Sequence, residues 1–192
     1  MKLVAFVLAI AALPAPAHAD ALADVQASLE GVVAAGGFRA HVEGQAFGPD
    51  APPISGDVDV IFPDRIHART DTIEFVVTPS GAWVSLLGVW TPADRSMLPV
   101  TAFDAKAMRK AIASIRDVRE TGRARTSQCP ARVFTFTASG QLPGARANGA
   151  MKLWACDGNG RPARLEATDA RGGTVVIDFD WTHKPRVVEP AS

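Results

Sequence analysis

The sequence predicts an α+β domain in which one large, curved, mostly antiparallel sheet is covered by about two helices. Three observations carry this reading. Apolar residues recur at helical spacing in two stretches, residues 20–35 and 101–117. Between and after them the period falls to two, in short runs bounded by Gly, Pro, Asn and Asp. The runs come in two sets of four or five with little chain between members, which suits hairpins and excludes helical crossovers.

The first helix, Asp20 to Ala35, carries Leu22, Val25, Leu29, Val32 and Val33 as one apolar stripe, and Gly36-Gly37 stops it. From Phe38 the alternation begins: Phe38, Ala40 and Val42 against Arg39, His41 and Glu43. A Gly/Pro-rich loop over 48–53 leads into Ile54 to Phe62, and Pro63-Asp64 turns the chain into Ile66, Ala68 and Thr70. Ile73, Phe75 and Val77 follow, then the turn Pro79-Ser80-Gly81. Trp83 to Leu87 is another strand, which Gly88 to Pro92 closes.

Thr101 to Asp117 returns to helical spacing. Phe103, Ala107, Met108, Ile112 and Ile115 form the stripe, Lys106, Arg109, Lys110 and Arg116 lie mostly off it, and Thr101 is the expected cap. Strands are then expected at 119–125, 132–138 and 150–157, with a loop from Gly140 to Gly149 and a tight turn at Gly158-Asn159-Gly160. Two further strands carry Ala163, Leu165 and Ala167, then Val175, Ile177, Phe179 and Trp181. Lys184 to Ser192 reads as a flexible tail.

The first nineteen residues read as a cleaved signal peptide. Met1-Lys2 is a short positive end, Leu3 to Leu13 an apolar run too short to span a bilayer, and Ala17-His18-Ala19 a small-residue cleavage site before Asp20. Asp20 is not a cysteine, so the lipoprotein route is excluded and a soluble, non-lipidated periplasmic chain is expected. Residues 20–183 then make a single domain with room for one core. The chain is close to neutral, which gives it no bulk attraction for nucleic acid or anionic lipid. Cys129 and Cys156 are expected to form a disulfide in that compartment. Whether the strand register sets them opposite each other stays open.

Catalytic signatures are missing. The sequence has no HExxH, GxSxG, Walker A or GxGxxG pattern, no CxxC, and no metal-ligand spacing. His41 and His67 fall on charged strand faces, His183 lies near the end of the chain, and Asp178 and Asp180 share a strand face. The reading is therefore no enzyme, no cofactor and no metal. A Ser beside His41 or His67 would reopen the hydrolase alternative. The wide apolar face of the first meander (Val58, Val60, Phe62, Phe75, Val77, Trp83) and a lid bearing Phe103 and Met108 are the candidate ligand-binding residues. Whether these residues line a gap or fill a core stays open.

The order of elements resembles the periplasmic lipoprotein-carrier (LolA/LolB-like) superfamily and its lipid-binding relatives. The likeness runs over nearly all of residues 20–192. It rests on the N-terminal helix, on Gly37-Phe38-Arg39-Ala40, on Ser55 to Arg65 and on Glu74 to Trp83. It continues in Met151-Lys152-Leu153-Trp154 and Gly160 to Glu166. The resemblance implies an incomplete, strongly curved β-barrel with helices over its open side. It also implies a hydrophobic cavity for acyl chains of lipids or lipoproteins, and a membrane-associated partner protein. One position departs: carriers that pass lipoproteins onward tend to have Arg before the proline where this chain has Phe62, and Arg65 is no obvious substitute. A non-enzymatic accessory module that binds another protein is the alternative.

Overall fold

The computed structural model describes residues 17–45, 53–71, 73–98, 100–142, 145–168 and 172–190. Most of the expected leader and the loop 48–52 lie outside them. Helix α1 spans Ala17–Ala34. Six strands follow: β1 (Gly37–Gly44), β2 (Ile54–Ile61), β3 (Arg65–Thr70), β4 (Glu74–Thr78), β5 (Gly81–Leu86) and β6 (Val89–Pro92). Two 3-10 turns, Arg95–Met97 and Val100–Phe103, lead to helix α2 (Ala105–Ala113). Five strands complete the chain: β7 (Arg116–Arg125), β8 (Pro130–Leu142), β9 (Ala145–Cys156), β10 (Pro162–Thr168) and β11 (Thr174–Asp180).

All eleven strands belong to one sheet, in the order β6-β5-β4-β3-β2-β1-β11-β10-β9-β8-β7, and every pairing is antiparallel. The two meanders meet where β1 pairs β11. β6 and β7 are the two ends and do not pair, so the curved sheet stays open. At Gly56 an added Cβ would lie 2.1 Å from the Arg69 carbonyl oxygen, so only glycine permits the close approach of β3 there.

Four local expectations need correction. The expected close of the first meander is β6, because Leu87-Gly88 makes a two-residue turn without the Asn or Asp that would signal it. The second helix starts at Ala105: Asp104 is its cap and accepts from the Ala107 N–H at 2.6 Å, while Thr101 lies in a 3-10 turn. The loop expected from Gly140 to Gly149 is mostly strand, paired out to Leu142 and Ala145. The chain after β11 is held rather than flexible over its described part. Val187 is buried, and Glu189 accepts from the hydroxyls of Thr78 (2.8 Å) and Ser80.

Alternation sorts most strands; β4 is the exception, with Phe75 to Thr78 all buried. One face joins a single core with the α1 residues Ala21, Val25, Leu29, Val32 and Val33 and the α2 residues Met108, Ala111 and Ile112. The other face carries a row of alternating basic and acidic side chains. Arg164, Asp178, His41, Asp57, Arg69 and Glu74 stand side by side across β10, β11, β1, β2, β3 and β4. Opposite charges in directly facing positions favour this register over a one-residue slip.

The cysteines are bonded, with Cα atoms 5.7 Å apart. Register places Cys156 opposite Ala131, so Cys129 reaches it from the turn before β8. The Thr126 hydroxyl shapes that turn by donating to the Cys129 carbonyl at 2.9 Å.

Candidate functional site

The candidate site is the apolar inner face of the sheet and the segment that closes it. The chain leaves β6 at one end of the sheet and must reach β7 at the other, so residues 93–115 cross the open side. Most of their large apolar side chains turn inward: Leu98 and Val100 pack against the core, and Phe103, Met108, Ala111, Ile112 and Ile115 are buried in it. α1 lies beside α2, and Gln26 donates to the Ile112 carbonyl at 3.3 Å.

Most of the candidate residues come together here. Val58 and Val60 on β2, Phe75 and Val77 on β4, and Phe103 and Met108 from the crossing segment all belong to one buried cluster, with Phe62 half-buried against it. Trp83 does not. It stands opposite Val76, with Ala82 and Val84 pointing inward on either side, so alternation puts its indole on the outer face. The error is one of parity within a strand that mixes apolar residues on both faces.

The sequence reading omitted the residues at the centre of the cluster. Phe38 on β1 packs edge-on against Phe179 of β11 at 5.5 Å and lies 6.1 Å from Phe62 and 6.5 Å from Phe103 (ring centroids). Phe179 stacks on Trp181 at 5.9 Å. Both phenylalanines fit the period-two pattern; what the pattern lacks is that β1 and β11, far apart in the chain, are neighbours.

In this structure the candidate residues pack against one another, and open space lies at the margins of α1. One cleft of about 290 Å³ separates α1 from the β8–β9 hairpin and the turn after it, lined among others by Asp24, Ser28, Arg132, Phe134 and Gly160. Arg132 bridges Asp24 (2.6 Å) and Glu120 (2.7 Å) and lies over the Phe134 ring at 4.8 Å. Its hydrogen bonds hold the Glu120 carboxyl below the usual carboxylate range. A second cleft of about 400 Å³ runs between Leu22 and residues 115–119. Two of its lining residues, Ile115 and Val118, belong to the buried core.

The outer face holds the arrangement that would reopen a hydrolase. His41 Nδ1 lies 2.9 Å from Asp57 Oδ1, and His41 Nε2 lies 3.4 Å from Ser55 Oγ. The His41 hydrogen bond lowers the Asp57 pKa. The imidazole and this carboxylate are both nearly half exposed, on an open sheet surface. Among the described residues no group of three or more His, Cys, Asp and Glu is placed to hold a metal.

No family model matches the sequence, and no curated protein does. Solved structures match in shape. The lipoprotein LppX of Mycobacterium tuberculosis superposes with a TM-score of 0.63 at 20% identity, over 90% of this chain and 100% of its own. LprF of Mycobacterium bovis gives 0.65 at 16% identity, over 91% and 98%. MucB gives 0.50 at 16% identity, over 89% of this chain and 62% of its own. The open, helix-covered half-barrel that the sequence resemblance implies is thus the fold of this chain, shared with LppX over 90% of its length.

Proposed function

We propose that the protein is a non-enzymatic, periplasmic binding or carrier protein for an apolar, acylated ligand, a lipid or the acyl chains of a lipoprotein. The supporting observation is the closure of the inner face. An apolar sheet is sealed by α1 and by a segment tied to both ends of the sheet, and the cleft between Leu22 and Val118 at its margin is lined by Ile115 and Val118 of the core. An acyl chain entering there would displace Phe103 and Met108 from the sheet and lie on Val58, Val60, Phe62, Phe75 and Val77. Each methylene leaving water contributes about 0.8 kcal/mol, which is what drives the lid side chains apart.

The chemistry fits export. The Cys129–Cys156 bond belongs in an oxidising compartment. No helix among the described residues is long and apolar enough to cross a membrane. A signal peptide over residues 1–19 and release without lipidation complete the reading.

Organic extracts of the purified protein, analysed by mass spectrometry, are expected to contain acyl lipid. Palmitate added to delipidated protein should shift the fluorescence of Trp181, whose ring packs against the core. Protein that emerges free of lipid and takes up no palmitate would end the carrier reading.

A protein-binding accessory module is the second reading, favoured by β7. This strand ends the sheet, and its side chains are exposed along most of Arg116–Arg125. A fluorophosphonate ester tests the hydrolase alternative. Ser55 is expected to stay unlabelled, because cross-strand polar pairing accounts for its contact with His41. Labelling that disappears in His41→Ala would make the protein an enzyme.

A further inference from the structure

Leu86 pairs with Val89, so Leu87 and Gly88 form a two-residue turn with φ of 54° and 83°. Positive φ at both positions is the type I′ turn, which favours Asn or Asp before Gly. Leucine is a poor choice, since its Cβ crowds the carbonyl in the left-handed region. Nothing in the chain rewards it: Leu87 is 105% exposed, and Leu86 and Val89 are 61% and 64% exposed. These neighbours make up most of the exposed large apolar residues among the described ones, the others being Met97 and Val188. Burial accounts for none of the three.

The shape of the tip narrows what it touches. The last pair between β4 and β5 is Glu74 with Ser85, so Leu86 to Val89 extend past the end of β4. A stable protein interface takes about 20–30 residues from each side, far more than this tip offers. A bilayer accepts apolar side chains one at a time and needs no matching pocket. Trp90 stands half-buried one residue behind, at the depth where indoles meet lipid headgroups. Leu86 also continues the inward-facing row of Ala82 and Val84, so the apolar surface runs unbroken from the core to the tip. Glu74 faces Arg69 at the same end of the sheet and Asp71 lies beside them, so this end has no net positive charge to attract anionic lipid.

We propose that the β5–β6 hairpin is an apolar lip that inserts into the surface of a lipid bilayer. The contact does not depend on an internal ligand, so it stands or falls apart from the carrier reading.

The test is co-sedimentation with phosphatidylcholine vesicles. The purified protein is expected to bind, to bind equally at about 0.5 M salt, where charge interactions reach only a few ångströms, and to gain nothing from added phosphatidylglycerol. Leu87→Asn installs the residue pair the turn favours, so the fold should hold or gain in Tm while vesicle binding falls about tenfold with the lost apolar area. Met97→Asn, exposed but off the tip, should bind as the parent does. A parent protein that stays in the supernatant, or a Leu87→Asn variant that sediments equally well, overturns the proposal. So does a lipid-free self-association that Leu87→Asn abolishes, since the tip would then be a protein interface.

Discussion

Phe38→Ala should destabilise the protein by about 3–5 kcal/mol, the cost of a large ring removed from a tight core. Phe38 is 1% exposed on the strand where the two meanders join. Its ring touches Phe179 across the seam, Phe62 at the end of β2 and Phe103 on the crossing segment. The substitution therefore loosens both halves of the sheet and their cover at one point. Urea denaturation should show a lower midpoint with an unchanged slope, while Phe38→Leu, which keeps most of the volume, should cost less than about 1.5 kcal/mol. A loss under about 1 kcal/mol for the alanine variant would mean that the four rings do not form the centre of the core.

Removing the disulfide is the second large effect. Cys129 and Cys156 are 27 residues apart in sequence. Closing a loop of that length stabilises the folded state by about 3.5 kcal/mol in the chain-entropy account, by restricting the unfolded chain. For a chain of this size each kcal/mol moves Tm by about 2–4 °C, so the Cys129→Ala/Cys156→Ala variant should melt about 7–14 °C lower. Reductant should lower the parent's Tm toward the variant's and leave the variant unchanged. Equal Tm values for parent and variant would show that the hairpin holds its geometry without the bond.

Local signals carried most of the fold. Period-two runs located β1 to β5, β10 and β11 to within a few residues, because most of these strands alternate buried apolar residues with more exposed polar ones. The signal failed where a local rule was broken. β6 is four residues long behind a turn that has Leu where a polar residue is expected, so it read as a loop. The β8–β9 hairpin runs farther than its apolar alternation, through Gly140 and Ala147, where backbone pairing continues without a regular apolar period to mark it. The site was legible in part for a related reason. Alternation identified Val58, Val60, Phe75 and Val77 as one face, but parity within Gly81–Leu86 depends on which residue first turns inward, and Trp83 was placed on the wrong side. Phe38 and Phe179 gain their central place only through the pairing of β1 with β11. No spacing in the sequence shows that contact.

That same pairing dictates when the molecule can finish assembling. The strand that zips the halves together ends at Asp180, so an emerging chain cannot complete its sheet until nearly all of it is free. Contacts of such long sequence separation form slowly. A polypeptide built this way keeps its two half-sheets unjoined until its last strand is available, and gains its full rigidity only then.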